Sequence, residues 1–296
     1  MMNYFVIINP NAGDQRKQAI LPGIIKKKFS QYAINTDIVY TTGPGNAAEM
    51  ARKAVSGKYD VVIAAGGDGT INEVAGALVK TKTPLGILPL GSGNGLARSL
   101  KIPVKIEQAL DILCHPHILM MDVGQVNDRF FFGVCGVGFD AVIGYKFQQF
   151  GTRGPIPYFI IGFREYVKFR DKEYILNSDT KQTTVSPLFI TVANTSQYGA
   201  GAVIAPSADF KDGLLNICIM ERVSFLKALL ILPLLFNGKI EKSKYYSQFL
   251  CRSLEITSAA DQDYVHTDGE PWTFSKKLTI EIKPAALHVC APHQTS

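Results

Sequence analysis

Two domains of different class are predicted by this sequence: an α/β N-terminal domain on a parallel sheet, then a mostly antiparallel, β-rich C-terminal domain. Three observations predict them. The chain has 296 residues, whereas a single domain usually takes about 150. Up to about Asp122, strand-like and helix-like segments alternate, and the strands are continuous apolar runs of the kind a parallel sheet covered on both faces requires. Beyond Asp122, short strand-like runs separated by turn chemistry take over.

The elements follow in order. Tyr4–Ile8 is β-branched and aromatic, and it ends in the turn Asn9-Pro10-Asn11-Ala12-Gly13. Gln15 to about Phe29 reads as a helix, Ile38–Tyr40 as strand and Asn46–Val55 as a helix. Asp60–Ala65 is a buried strand, Thr70–Val79 a helix and Leu85–Leu88 a second buried strand. In the second half, Arg129–Val137, Leu188–Asn194, Leu214–Met220, Ser253–Thr257, Leu278–Lys283 and Ala286–Cys290 read as strands. Helices are expected at Asp140–Gln149, Tyr158–Arg170 and Phe225–Phe236. The last is the most hydrophobic segment, but Lys227 and Pro233 interrupt it and it falls short of the roughly 20 residues of a membrane span. Packing as a core helix is the expectation, with docking on a membrane as the alternative.

Composition narrows the class of protein. Hydrophobic residues make up 47% and charged residues 19%, which excludes a disordered chain. A net charge of +6 suits a phosphate-bearing ligand or an anionic membrane surface and falls short of a nucleic-acid-binding stripe, so no nucleic-acid partner is expected. The five cysteines are scattered and odd in number, with no CxxC pair; they read as reduced thiols in a cytoplasmic protein, without disulfides or zinc. Cys114-His115-Pro116-His117 reads as a helix-to-strand turn rather than a metal box. The first residues lack the basic region and cleavage site of a signal peptide.

The glycine clusters carry the chemistry. Gly66-Gly67-Asp68-Gly69-Thr70 joins a buried strand to a helix. Such a turn presents backbone N–H groups beside the positive end of a helix dipole, a seat for phosphate at the carboxyl end of a strand. Asp68 would repel phosphate unless it holds Mg²⁺ or takes a proton from a hydroxyl; the bland alternative is a helix cap. A second cluster, Gly91-Ser92-Gly93-Asn94-Gly95-Leu96-Ala97-Arg98, also lies between strand and helix. There Ser92 and Asn94 are expected to donate to phosphate and Arg98 to add charge. By itself the Asn9-Pro10 turn reads as an ordinary Asx turn.

In this order, Asn9-Pro-x-x-Gly13, Gly66-Gly-Asp-Gly-Thr70 with Asn72-Glu73, and Gly91-Ser-Gly-Asn-Gly-Leu-Ala-Arg98 resemble the diacylglycerol kinase catalytic-domain family of lipid kinases. The resemblance continues through Gly136-Val-Gly138-Phe-Asp140-Ala, Pro206-x-Ala-x-x-x-Asp212-Gly-x-Leu214 and Asp268-Gly-Glu270, so it spans nearly the whole chain. It implies an NAD kinase/phosphofructokinase-like α/β domain at 1–122, to which 285–296 return, and a β-sandwich-like lipid-binding domain at 123–284. One departure is Gly91-Ser-Gly-Asn-Gly95 where many bacterial members carry Gly-Thr-x-Asn-Asp, a form nearer that of sphingosine kinases.

The resemblance implies ATP and Mg²⁺ as cofactors and a lipid at the membrane surface as substrate, with peripheral membrane contact; a homodimer stays open. By similarity the nucleotide lies in the cleft between the domains, touched by Asn9, Thr41, Gly66, Gly67, Asp68, Gly69, Thr70 and Ser92. Asp268 matches the carboxylate assigned as general base, Asp68 stands near the phosphates, and Glu270 assists metal or nucleotide binding. Without the family match, Asp268-Gly269 reads as a hairpin turn between Tyr264–Thr267 and the strand starting near Leu278. Asp140 matches the acid that faces the lipid headgroup in sphingosine-kinase-like members; an N-cap is its other reading. Asp209 and Asp212 form an oxygen pair suited to a hard cation. The resemblance adds the Leu214 carbonyl and a structural Mg²⁺ or Ca²⁺, while a plain solvated turn stays equally open. Lys146 and Arg153 fall where relatives place basic nucleotide contacts, with plain surface charge as their other reading. Tyr158, Phe159 and Phe163 with Arg164, Lys168 and Arg170 allow a lipid-facing amphipathic helix, but ordinary packing is the expectation.

Two other functions fit parts of this pattern. NAD kinase shares the Gly-Gly-Asp-Gly motif, but the run at 91–98 is a lipid-kinase feature. A non-catalytic lipid- or nucleotide-binding regulator would be expected to lack one of the acidic residues, whereas Asp68, Asp268 and Glu270 are all present.

Overall fold

The computed structural model describes residues 1–150, 162 and 164–293, apart from the side chains of 147–150. Arg153, Tyr158, Phe159 and Phe163 lie outside the described residues. The chain divides into two compact units, one of residues 1–123 and 284–296, the other of residues 124–283.

The first unit runs β1 (Met2–Ile8), α1 (Gln15–Ser30), β2 (Ile34–Tyr40), α2 (Asn46–Ser56), β3 (Val61–Gly66), α3 (Asp68–Leu78), β4 (Leu85–Pro89), α4 (Gly95–Ser99), α5 (Ile106–Cys114) and the start of β5 (His117–Val126). Its sheet has the order β2-β1-β3-β4, and all of these pairings are parallel. Every residue of β3 and β4 is buried, which is why both strands read as unbroken apolar runs. The register Ile8↔Ala65 and Ala65↔Leu88 sets the carboxyl ends of β1, β3 and β4 level. Their following turns, the three glycine-containing loops, therefore gather at one edge.

The second unit contains the rest of β5, then β6 (Arg129–Phe131), β7 (Val134–Gly138), α6 (Phe139–Phe150), β8 (Tyr174–Ser178), β9 (Gln182–Val185), β10 (Phe189–Ala193), β11 (Gln197–Gly199), β12 (Ala202–Val203) and β13 (Leu215–Met220). There follow α7 (Phe225–Phe236), β14 (Tyr246–Cys251), β15 (Ser253–Ser258), β16 (Asp263–Thr267), β17 (Glu270–Phe274) and β18 (Lys277–Ala291). One antiparallel sheet has the order β14-β13-β10-β7-β16-β17, and β9-β8-β15 with the first half of β18 form another. A core including Val137, Ile190, Ile217, Leu254, Ile256 and Leu278 draws on both.

Four expectations need correction. Arg129–Val137 is not one strand; it breaks at Phe132-Gly133, whose N–H groups point to a side chain instead of a ladder. Leu278–Lys283 and Ala286–Cys290 are one strand, β18, whose second half pairs in parallel with β4. Within that strand Ala285 stands at φ +49°, and its N–H donates to Asp122 at 2.7 Å. Asp268-Gly269 does turn a hairpin, but its second strand is Glu270–Phe274 rather than one starting near Leu278. Helix α7 has no buried residue, so it is not a core helix. The Cys114-to-His117 segment is a helix-to-strand turn, as α5 ends at Cys114 and β5 starts at His117.

Candidate functional site

The glycine loops of the first unit form one interlocked structure. Leu90 N–H donates to the Gly66 carbonyl at 2.8 Å, and Asn9 N–H to the Ala65 carbonyl at 2.9 Å. The Asn9 amide donates to Thr70 Oγ1 at 3.0 Å. Thr41 follows β2 directly and donates its N–H to the Ile8 carbonyl, which sets it beside Asn9. Asp68 is the clasp: Oδ2 accepts from Asn94 N–H at 2.9 Å and Oδ1 from Gly95 N–H at 2.7 Å. Only glycine tolerates the approach. A Cβ at Gly93 would stand 2.7 Å from Asp68 Oδ2, and one at Gly91 would stand 2.8 Å from the Gly67 Cα.

Side-chain roles within these loops differ from expectation at one point. Asn94 does not offer its amide to phosphate, because Nδ2 donates to the Gly91 carbonyl at 2.7 Å and the residue is 4% exposed. Ser92 is exposed, and Arg98 donates Nε to the Gly93 carbonyl at 3.0 Å. The N-terminus of α3, from Asp68, has no side-chain cap, so helix geometry leaves its first N–H groups directed outward from the Gly67–Thr70 turn. Glu73, one turn further along, instead caps α2, accepting from Gly45 N–H at 2.8 Å and Ala47 N–H at 3.1 Å. Adjoining Ser92 on the α1 side is a cavity of about 500 Å³, with Lys17, Arg98 and Lys105 in its lining.

The second unit assembles a different group. Asp268 lies in the β16–β17 turn at φ +49°, followed by Gly269 at φ +86°, the left-handed pair that a tight hairpin demands. Its carboxylate reaches the break between β6 and β7. There Oδ2 accepts from Phe132 N–H at 2.8 Å, and Oδ1 from Gly133 and Val134 N–H at 2.7 and 2.9 Å. Burial pushes the carboxyl up to about 6, against the downward pull of those three donors. Glu270 opens β17 and is exposed.

Beside this turn, Asp140 of α6 meets His266 of β16, with Nε2 at 3.2 Å from Oδ2. Gly269 N–H donates to His266 Nδ1 at 3.4 Å, so the ring proton sits on Nε2 and faces Asp140. Tyr198 hydroxyl donates to the same carboxylate oxygen at 3.2 Å, and burial followed by the Asp140 charge holds that phenol protonated. Thr191 completes the network through Tyr198 and Asp140. Among the described residues, Asp140 Oδ1 accepts only from the next residue's N–H, Ala141, at 2.7 Å.

Sequence reasoning named Asp140 and Asp268 but not His266, Tyr198 and Thr191, which the structure joins to Asp140. One signal was available. Gly136 pairs with His266 across the sheet, and a Cβ there would lie 2.3 Å from Asp140 Oδ2 and 2.5 Å from His266 Nε2. A glycine inside a strand marks such a close approach. Asp209 and Asp212 lie in a separate loop, where they accept from Lys211 and Leu214 N–H at 3.1 and 2.8 Å. Among the described residues no group of three or more His, Cys, Asp or Glu is placed to hold a metal.

Comparison with known proteins fixes the class. Residues 3–126 match the model of the diacylglycerol kinase catalytic domain, and residues 133–291 that of the YegS C-terminal NAD kinase beta sandwich-like domain. Fold and glycine loops thus define a kinase with an α/β catalytic domain and an antiparallel β domain. The chain belongs to the diacylglycerol kinase catalytic-domain family, in which the YegS-like lipid kinase of Yersinia enterocolitica is 31% identical over 273 residues, 90% of each chain. The diacylglycerol kinase of Staphylococcus saprophyticus is 26% identical over 269 residues, 90% of this chain and 88% of its own. The crystal structure of a diacylglycerol kinase from Bacillus anthracis superposes with a TM-score of 0.74 at 20% identity, over 99% of this chain and 98% of that one, a likeness of fold.

Proposed function

We propose that this kinase transfers the γ-phosphoryl group of ATP to a lipid hydroxyl, of diacylglycerol, a sphingoid base or a related lipid, at a membrane surface. The observation that carries the reading is Asp268: a carboxylate fixed by backbone donors, with one oxygen, Oδ2, holding a single partner among the described residues. A base must be ionised at neutral pH yet able to accept a proton, and a value of about 6 meets both needs. In this reading Oδ2 takes the proton as the lipid oxygen attacks the γ-phosphorus. The outward N–H groups at Gly67–Thr70 cradle the phosphates, with Asn9, Thr41 and Ser92 at the margins of that seat.

Asp68 acts first as the clasp that holds the Gly91–Gly95 loop against the phosphate seat. Its carboxylate still has lone pairs beyond those taken by Asn94 and Gly95, so its donor chemistry fits water on a nucleotide-bound Mg²⁺. That ion would supply charge neutralisation on the phosphates. Asp140, held by His266 and Tyr198, keeps Oδ1 turned to Ala141 with acceptor capacity left for a lipid hydroxyl. Glu270 adds negative charge next to Asp268, and a second cation at Asp209, Asp212 and the Leu214 carbonyl would be structural.

The test is single-turnover kinetics with ATP labelled on its γ-phosphate. Asp268→Asn is expected to cut the chemical step by about 10²–10⁴-fold with the nucleotide Kd unchanged. Asp68→Asn, which loosens the clasp, is expected to raise the nucleotide Kd as well. Near-normal turnover in Asp268→Asn would remove that carboxylate from the mechanism.

A further inference from the structure

Helix α7 is apolar on every side, yet none of its residues is buried. One face packs on the unit: Phe225, Ala228, Ile231, Leu234 and Leu235 lie against a core that includes Ile204, Met220 and Tyr246. The opposite face shows Leu226 at 74% and Leu230 at 77% exposure, with Pro233 exposed on the same side, where a surface helix ordinarily carries polar residues. Leucines four apart with the proline that follows make an apolar ridge, and Phe236, eleven residues after the packed Phe225, is exposed on its flank at the helix end. Such a ridge on a folded domain marks an interaction surface.

The charges around the ridge choose its occupant. Lys227 lies on the helix, and Lys239, Lys242 and Lys244 follow its end; all four are exposed. Against them stand Glu221 and Glu241, and Glu241 already accepts from Ser207 and Gln248. Tyr245 sits among these lysines, accepting from Lys227 at 3.2 Å with the Lys244 ammonium 5.2 Å from its ring. An apolar stripe edged by lysines and a tyrosine is the pattern of a helix lying in the interface of an anionic bilayer. A second copy docked by a two-fold axis would bring the same lysines against each other, which like-charge repulsion opposes.

We propose that the Leu226–Leu230 face of α7 and its lysine rim dock the protein on bilayers containing anionic phospholipid. The identity of that surface rests on the lipid-kinase reading, but the physics of docking does not, so each can fail without the other.

The test is flotation of the full chain with vesicles of phosphatidylcholine alone or mixed with phosphatidylglycerol. Binding should favour the mixed vesicles and weaken with salt. Leu226→Gln with Leu230→Gln should lower partitioning by about tenfold or more. Lys239→Gln, Lys242→Gln and Lys244→Gln should remove the anionic preference, at about fivefold per lysine. These variants should keep the wild-type melting temperature and, on a short-chain water-soluble diacylglycerol, the wild-type turnover, while turnover on vesicle-borne diacylglycerol falls with binding. Vesicle binding unchanged by the leucine substitutions would overturn the proposal. So would a lipid-free dimer that those substitutions dissociate. Binding lost in the variants of a chain that phosphorylates no lipid would uphold the docking face and contradict the kinase reading.

Discussion

Asp268 shows how one residue can satisfy a turn and, in the proposed mechanism, a reaction together. Its left-handed φ serves the hairpin, while its carboxylate gathers three N–H groups from the gap between β6 and β7. The shift from the ordinary 3.8 up to about 6 has two consequences of opposite sense. The folded chain keeps this proton through a range where the unfolded chain has lost it, so the residue's contribution to stability falls as pH rises from about 4 to 6. As the proposed base, the carboxyl is ionised only above about 6, so kcat/KM should rise through that pH. Asp268→Asn should abolish both trends, measured as the pH–rate profile and as the pH dependence of the melting-temperature difference. Gly136→Ala is the complementary probe, since its Cβ would strike Asp140 and His266. It should lower turnover on lipid and cost about 1–3 kcal/mol in stability, read by denaturant titration. Asp268 was visible in the sequence as half of an Asp-Gly turn. His266 was not, because nothing local says that a strand histidine faces a carboxylate 126 residues away.

Among the elements, the parallel strands were the most legible and the antiparallel ones the least. β3 and β4 are buried on both faces and announce themselves as apolar runs; β8, β9 and β14 alternate weakly with exposed polar residues. The break at Phe132-Gly133 could not be read, since its cause is the distant Asp268 carboxylate. Glu73 was noted as part of a motif, but its role appears only in the helix pair it joins. Glu73→Ala leaves two N–H groups of the α2 start without their acceptor and should cost about 1 kcal/mol, visible as a lower melting temperature. At the far end of β16, Asp263 is 2% exposed and bound by Lys172 at 2.6 Å, Tyr174 at 2.8 Å and Ser258 at 3.0 Å. Asp263→Ala leaves the Lys172 ammonium without that partner and should destabilise by about 3–5 kcal/mol in chemical denaturation.

On the scale of the whole molecule, the chain passes between its units at 123/124 and again at 283/284, so the first unit is built from two segments and the second from the single segment between them. The family follows from motifs spread along nearly the whole length, and the proposed chemistry divides between the units: a phosphate seat clasped by Asp68, and an acidic pair at Asp268 and Asp140 held by backbone and histidine. A lipid acceptor gives both parts a use. The measurement that tests this most directly is phosphorylation of a total lipid extract by the purified chain with Mg·ATP, read by mass spectrometry beside Asp268→Asn. The account predicts a lipid gaining one phosphate with the wild-type chain and not with the variant. Phosphate appearing in NAD instead, or equal lipid phosphorylation by both proteins, would contradict it.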